Sequence, residues 1–176
     1  MRGLFLALGI VGAVSLIIVG VCSISWWYDF HSEIGDHLKN AGDAPNLEMA
    51  NEFLSAAIEK MEEQGLTSGN SAFFFNKLKV TDVGIWYRKI NEANETVSDL
   101  LARIVEDPES VSQLVRDNAL MKIREVVLDE GKSGTEVTLP AHIVWFPSEV
   151  GILLWWWISF IIAAIGWVSF FITSDY

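Results

Sequence analysis

The sequence predicts an all-α membrane protein: two transmembrane helices flanking a small extramembrane helical bundle of three to four helices. Three observations carry this expectation. Residues 3–28 and 150–174 hold no charged side chain. Apart from Arg2 and Asp175, every charge lies in 29–149. Setting those two aside from the 12 Lys and Arg and the 23 Asp and Glu leaves that segment 11 basic and 22 acidic residues, hence the whole net charge of −11. Within it, apolar residues recur at helical rather than alternating spacing. The expected organisation is a first transmembrane helix in 1–28, an acidic helical domain in 29–149, and a second transmembrane helix with a very short tail in 150–176. The acidic balance argues against nucleic acid as a partner, because it repels a phosphate backbone.

Gly3 to Tyr28 would make a helix roughly 39 Å long at ~1.5 Å per residue, enough to cross a ~30 Å hydrocarbon core. A helix also satisfies its own backbone hydrogen bonds, which lipid cannot do. A cleaved signal peptide is the competing reading, with Arg2 as the n-region and Leu4 to Val21 as the h-region. The apolar run is too long for one and no A-x-A-like site follows it, so a retained anchor is expected. Cys22 is the only cysteine, which excludes an intrachain disulfide. In this setting it reads as a small apolar residue of a membrane helix.

Trp and Tyr favour the headgroup level, where an apolar ring and a polar hydrogen are both accommodated. Trp26, Trp27 and Tyr28 therefore mark the domain-side boundary of the first crossing, and Trp155, Trp156 and Trp157 are expected to mark the same level on the second. That second crossing would run from about Leu154 to Ile172, roughly 28 Å. Arg2 against the acidic stretch Asp29 to Glu33 predicts both termini in the cytoplasm and the domain outside.

Beyond Tyr28 the first helix should continue to about Asn40 and stop at Gly42. Asn46 caps a helix of about 47–64, with Leu47, Ala50, Leu54, Ala57, Ile58 and Met61 on one face and Gly65 at its end. Ser71 starts a short apolar helix through Phe73, Phe74, Phe75 and Leu78. Those aromatics are either folded over tightly or meet a partner or the membrane surface. Thr81 or Asp82 caps a helix of about 82–106 with a stripe at Trp86, Ile90, Ala93, Val97, Leu100, Leu101 and Ile104. Asp107-Pro108-Glu109 should restart the chain as a helix reaching about Glu130. Residues 131–147 read as extended or irregular, with Glu136 to Leu139 a short strand and Ser148 the cap of the second membrane helix.

Chemistry is sparse. No phosphate-cradling loop, nucleophile elbow, zinc motif or CxxC pair occurs, so neither enzymatic activity nor a cofactor is expected. One polar constellation stands out. In an α-helix Asp29, Glu33, Asp36 and His37 would share a face, giving either a solvated surface or a cation site at the mouth of an oligomer. Glu149 suits the positive end of the second membrane helix. Gly9, Gly12 and Ala13 on the first helix, with Ala163 and Gly166 on the second, permit close helix–helix approach. The absence of intramembrane charge argues against proton relays and ion-coupled transport. Only Thr173 to Tyr176 follow the second crossing, so a sensed signal would have to pass to another subunit. The expected role is a non-enzymatic accessory, scaffold or assembly subunit of an oligomeric membrane complex, with the lipid bilayer and other subunits or copies of itself as partners. The alternative is a homo-oligomeric channel with an acidic ring at its mouth.

Overall fold

A computed structural model describes residues 2–71, 82–131, 134–140, 143–146 and 149–174. The chain divides into two units, Met1–Tyr28 with Pro147–Tyr176, and Asp29–Phe146.

In the first unit, α1 (Arg2–Phe30) and α6 (Glu149–Ser174) are apolar along their length. Both are long and apolar enough to cross a membrane. Their outer surfaces leave large apolar side chains exposed, among them Leu4, Ile17, Ile24, Ile158, Val168 and Phe171.

The second unit is a helical bundle with a small hairpin. Helicity does not stop at Phe30. A π-helical turn, His31–Gly35, leads directly into α2 (Asp36–Gly42), and the flanking residues keep right-handed helical dihedrals. Gly42 is the last helical residue, not a left-handed stop as its position suggests in sequence. It is small because a Cβ there would come within 2.5 Å of Leu128 Cδ1.

The α3 helix (Leu47–Glu63) opens with Asn46, whose Oδ1 accepts from Met49 N at 2.8 Å. It closes with Gly65 at φ 70°, Gly65 N donating to Glu62 O and Leu66 N to Met61 O. This paired arrangement, with Leu66 and Met61 both buried, is a Schellman end. The six apolar residues expected on its inner face are the ones buried.

Asp82 caps α4 (Val83–Glu106) by accepting from Ile85 N at 2.8 Å. Trp86, Ile90, Ala93, Val97 and Leu100 are buried, while Leu101 and Ile104 pack partly buried against the same core. The expected helix through Phe73 to Leu78 lies outside the described residues, as do Thr81 and Ser148.

Two expectations for the next helix need correction. It does not begin at Asp107. That carboxylate instead accepts from Glu109 N at 3.0 Å, folding the chain into a turn that Ser110 closes by donating to Asp107 O. Ser112 is the true cap of α5 (Gln113–Val127). Nor does the helix reach Glu130. Leu128 turns extended at φ −119°, ψ 147°, and Leu128–Gly131 (β1) pairs antiparallel with Gly134–Val137 (β2), Leu128 opposite Val137. The β2 strand therefore lies two residues earlier than expected, and its partner β1 occupies positions expected to be helical. Pairing buries Leu128 against the core, which a further helical turn would not have done.

The four helices close on one core: α2 packs on α3 and α5, and α4 packs on the same two. Three polar pairs cross the exposed side of the α3–α4 seam. Ser98 donates to Asn51, Ser55 to Asn94, and the Tyr87 hydroxyl to Glu62 Oε1 at 2.6 Å.

Candidate functional site

The most developed interface is the seam between α1 and α6. Small residues recur at helical spacing on both, so each helix offers a groove instead of a ridge. Gly9, Gly12, Ala163 and Gly166 meet there and are buried, while Ala13 is half-buried. A Cβ on Gly12 would strike the backbone N of Ala163, and one on Gly166 the backbone N of Gly9. A Cβ on Gly9 would lie 3.3 Å from the Trp167 indole nitrogen. Residues of rising number on α1 face residues of falling number on α6, so the pair is antiparallel.

Centrally the seam is polar. Ser15 Oγ lies 2.7 Å from Ser159 Oγ, and Trp155 Nε1 donates to Ser15 Oγ at 3.0 Å. Ser159 is only 2% exposed, so these hydroxyls satisfy one another where no solvent reaches Ser159. A serine in an apolar helix is a weak sequence signal. What singles these two out is their place at matching depth on antiparallel helices, and a single strand of text does not show that.

The tryptophans differ from expectation. Trp26, Trp27 and Tyr28 are exposed at the end of α1 in this unit. Trp155 to Trp157 are not beside them. Trp155 reaches Ser15, and the Trp156 ring lies 3.9 Å from where a Cβ of Gly20 would be. Taken at the Trp156 ring beside Gly20, the two aromatic groups are therefore offset by six to eight residues along α1, about 9–12 Å. The physical reason is the register of the seam: Gly12 meets Ala163 and Gly9 meets Gly166, which sets the tryptophan run of α6 near Gly20 and not near Tyr28. Trp155 needs no headgroup partner, because Ser15 takes its hydrogen.

The acidic constellation on the first helix is not gathered into a ligand set. The wider π turn breaks the four-residue spacing that would align it. Asp29 and Asp36 are exposed. Glu33 accepts from Gln64 Nε2 at 2.9 Å. His37 turns inward, its ring centroid 6.3 Å from that of Phe53 and its Nδ1 buried without a hydrogen-bond partner. Among the described residues, no group of three or more His, Cys, Asp or Glu could hold a metal ion.

The bundle also carries a cleft of about 610 Å³ between α4, α5 and residues 138–140. Sequence reasoning missed it, because its walls come together only through the hairpin. Trp86 Nε1 donates to Thr138 O at 2.8 Å, and Thr138 N donates to Val127 O at 2.8 Å, so both helices hold the third wall in place.

Comparison with known proteins returns no match: no protein-family model, no curated protein and no solved structure resembles the chain.

Proposed function

We propose that this is a non-enzymatic, two-pass integral membrane protein that serves as an accessory, scaffold or assembly subunit of an oligomeric membrane complex. Its helical domain would lie outside the membrane, with both termini in the cytoplasm. The observation that carries the reading is the contrast across α1 and α6. Their facing sides are small and closely packed around a satisfied hydroxyl pair, while their outer sides expose large apolar residues without a charge. Water would penalise that outer surface heavily; lipid or another membrane helix would not.

The alternative, a homo-oligomeric pore, finds less support. In that reading the glycine-bearing first helix would line the pore, yet its Gly9 and Gly12 pack against α6, and the acidic residues meant for its mouth diverge.

The test has two parts. The protein should stay with membranes through alkaline carbonate washing and, after mild-detergent purification, bring unlike membrane subunits with it in fixed stoichiometry. Recovery in the carbonate supernatant, or as an isolated monomer, refutes the reading. Cation-selective conductance of the pure chain in planar bilayers would favour the pore.

A further inference from the structure

We propose that the cleft between α4, α5 and residues 138–140 binds a small zwitterion with an apolar body, of the class of a dipeptide of hydrophobic amino acids. Its volume, about 610 Å³, falls in the range of small-ligand sites. The floor is apolar: Ile85 and Trp86 from α4, Val126 from α5 and Leu139 from the third wall. The third wall is tied to both helices through Thr138, so the cavity exists before any ligand arrives and binding need not build it.

The rim supplies the chemical class. Each helix contributes one ammonium and one carboxylate three residues apart: Lys89 and Glu92 on α4, Lys122 and Glu125 on α5. Among the described residues none of these four side chains is in an ion pair or hydrogen bond, and all four are exposed. Asp82 also lines the cleft, but its carboxylate already caps α4 on Ile85 N. Two free cations and two free anions around an apolar floor complement a molecule bearing one charge of each sign on an apolar body. A plain fatty anion would meet the two carboxylates unfavourably, and a plain amine the two lysines. A neutral apolar molecule would leave the rim unused.

The test is calorimetric titration of the full-length protein in a nonionic detergent. Leucyl-leucine carries both charges, N-acetyl-leucyl-leucine only the carboxylate, and leucyl-leucine amide only the ammonium. The dipeptide should bind saturably at one site, and each single-charge form about tenfold more weakly, the loss of one charge-assisted contact. Lys89→Met with Lys122→Met should weaken the dipeptide but not its amide, so that the preference for the dipeptide over the amide is lost. Glu92→Gln with Glu125→Gln should likewise weaken the dipeptide but not the N-acetyl form, removing that preference. That selective pattern cannot arise from misfolding, which would reduce all three ligands together. Absence of saturable dipeptide binding below about 5 mM overturns the proposal, since that limit corresponds to about −3 kcal/mol. So do equal affinities for the three ligands, or paired variants that keep the wild-type preference.

Discussion

Replacing Gly12 by alanine should force α1 and α6 apart. The added methyl would press on Ala163 N, and would lie 2.7 Å from Ala163 Cα and 2.8 Å from its Cβ. Carbon atoms in contact prefer ~3.5–4.0 Å, so the shortfall is about 1 Å. The obstructing atoms are backbone or Cβ, with no rotamer to escape into, so the helices must separate by roughly that amount. One turn along α1, the Ser15–Ser159 hydroxyls now 2.7 Å apart would be carried out beyond ~3.5 Å, past hydrogen-bonding reach. Overpacking costs ~1–3 kcal/mol, and an interhelical hydrogen bond in a membrane is worth ~0.6–1.7 kcal/mol, so about 2–4 kcal/mol should be lost. The assay is unfolding of the full chain in micelles by rising dodecyl sulfate fraction, read by tryptophan fluorescence, since Trp155, Trp156 and Trp167 lie along the seam. Gly3→Ala and Gly151→Ala are the controls, for a Cβ at either meets nothing within 4 Å. Gly12→Ala should unfold at clearly lower dodecyl sulfate than both. If it unfolds together with them, the seam is not where the helix pair gains its stability, and the reasoning is wrong.

Three further outcomes are expected. Ser159→Ala should cost less, about 0.5–1.5 kcal/mol, and should blue-shift or broaden the Trp155 signal as its indole partner Ser15 is released, a change checked on a background lacking the other tryptophans. Gly69→Ala should destabilise the bundle more than Gly65→Ala: both adopt positive φ, 111° and 70°, but only at Gly69 would the methyl also meet a ring, 2.6 Å from Phe146 Cζ. Backbone strain alone costs ~1–2 kcal/mol and overpacking adds ~1–3, so thermal midpoints by circular dichroism should fall in that order. Tyr87→Phe should remove a pH-dependent contribution. The hydrogen bond to Glu62, then burial, then the charges of Glu62 and Glu95 raise the Tyr87 pKa above its ordinary 10.0. A raised folded-state value means the stabilisation is fully present below pH ~10 and is lost as pH climbs through the folded pKa. The wild type should therefore lead the variant by about 0.5 kcal/mol at neutral pH, a value kept small by solvent screening, and the lead should vanish under strongly alkaline urea unfolding.

The helices of the bundle were legible because their information is local. Asn46 and Asp82 cap where a short polar side chain precedes an apolar period, and the buried faces of α3 and α4 follow that period residue by residue. The failures share a different cause. Asp107 and Ser112 both have the chemistry of a cap, and only the turn that Ser110 closes decides between them. Val126-Val127-Leu128 suits a helix or a strand, and pairing with Val137 nine residues away settles it. The π turn slips the phase of the first helix without disturbing the composition from which the acidic face was inferred. The depth of Trp155 depends on a register against α1 that no single segment encodes. The cleft has the same origin, since Trp86 and Thr138 lie 52 positions apart.

The three polar pairs along α3 and α4 bear on how this bundle avoids folding one step out of place. Slide α4 by seven residues, about 10 Å, and its inner face stays apolar, although Ala93 would fall where Trp86 packs. Ile90 would move into the place of Val83, Val97 into that of Ile90 and Leu100 into that of Ala93, still apolar and still inward. The exposed edge would notice at once. Asn51 would now look at Val105 in place of Ser98, and Ser55 at Leu101 in place of Asn94. A repetitive apolar stripe makes the helices associate without telling them how far along to do so. The weak hydrogen bonds at the rim distinguish one alignment from its near copies, so residues that contribute little to the depth of the energy minimum contribute a great deal to there being only one.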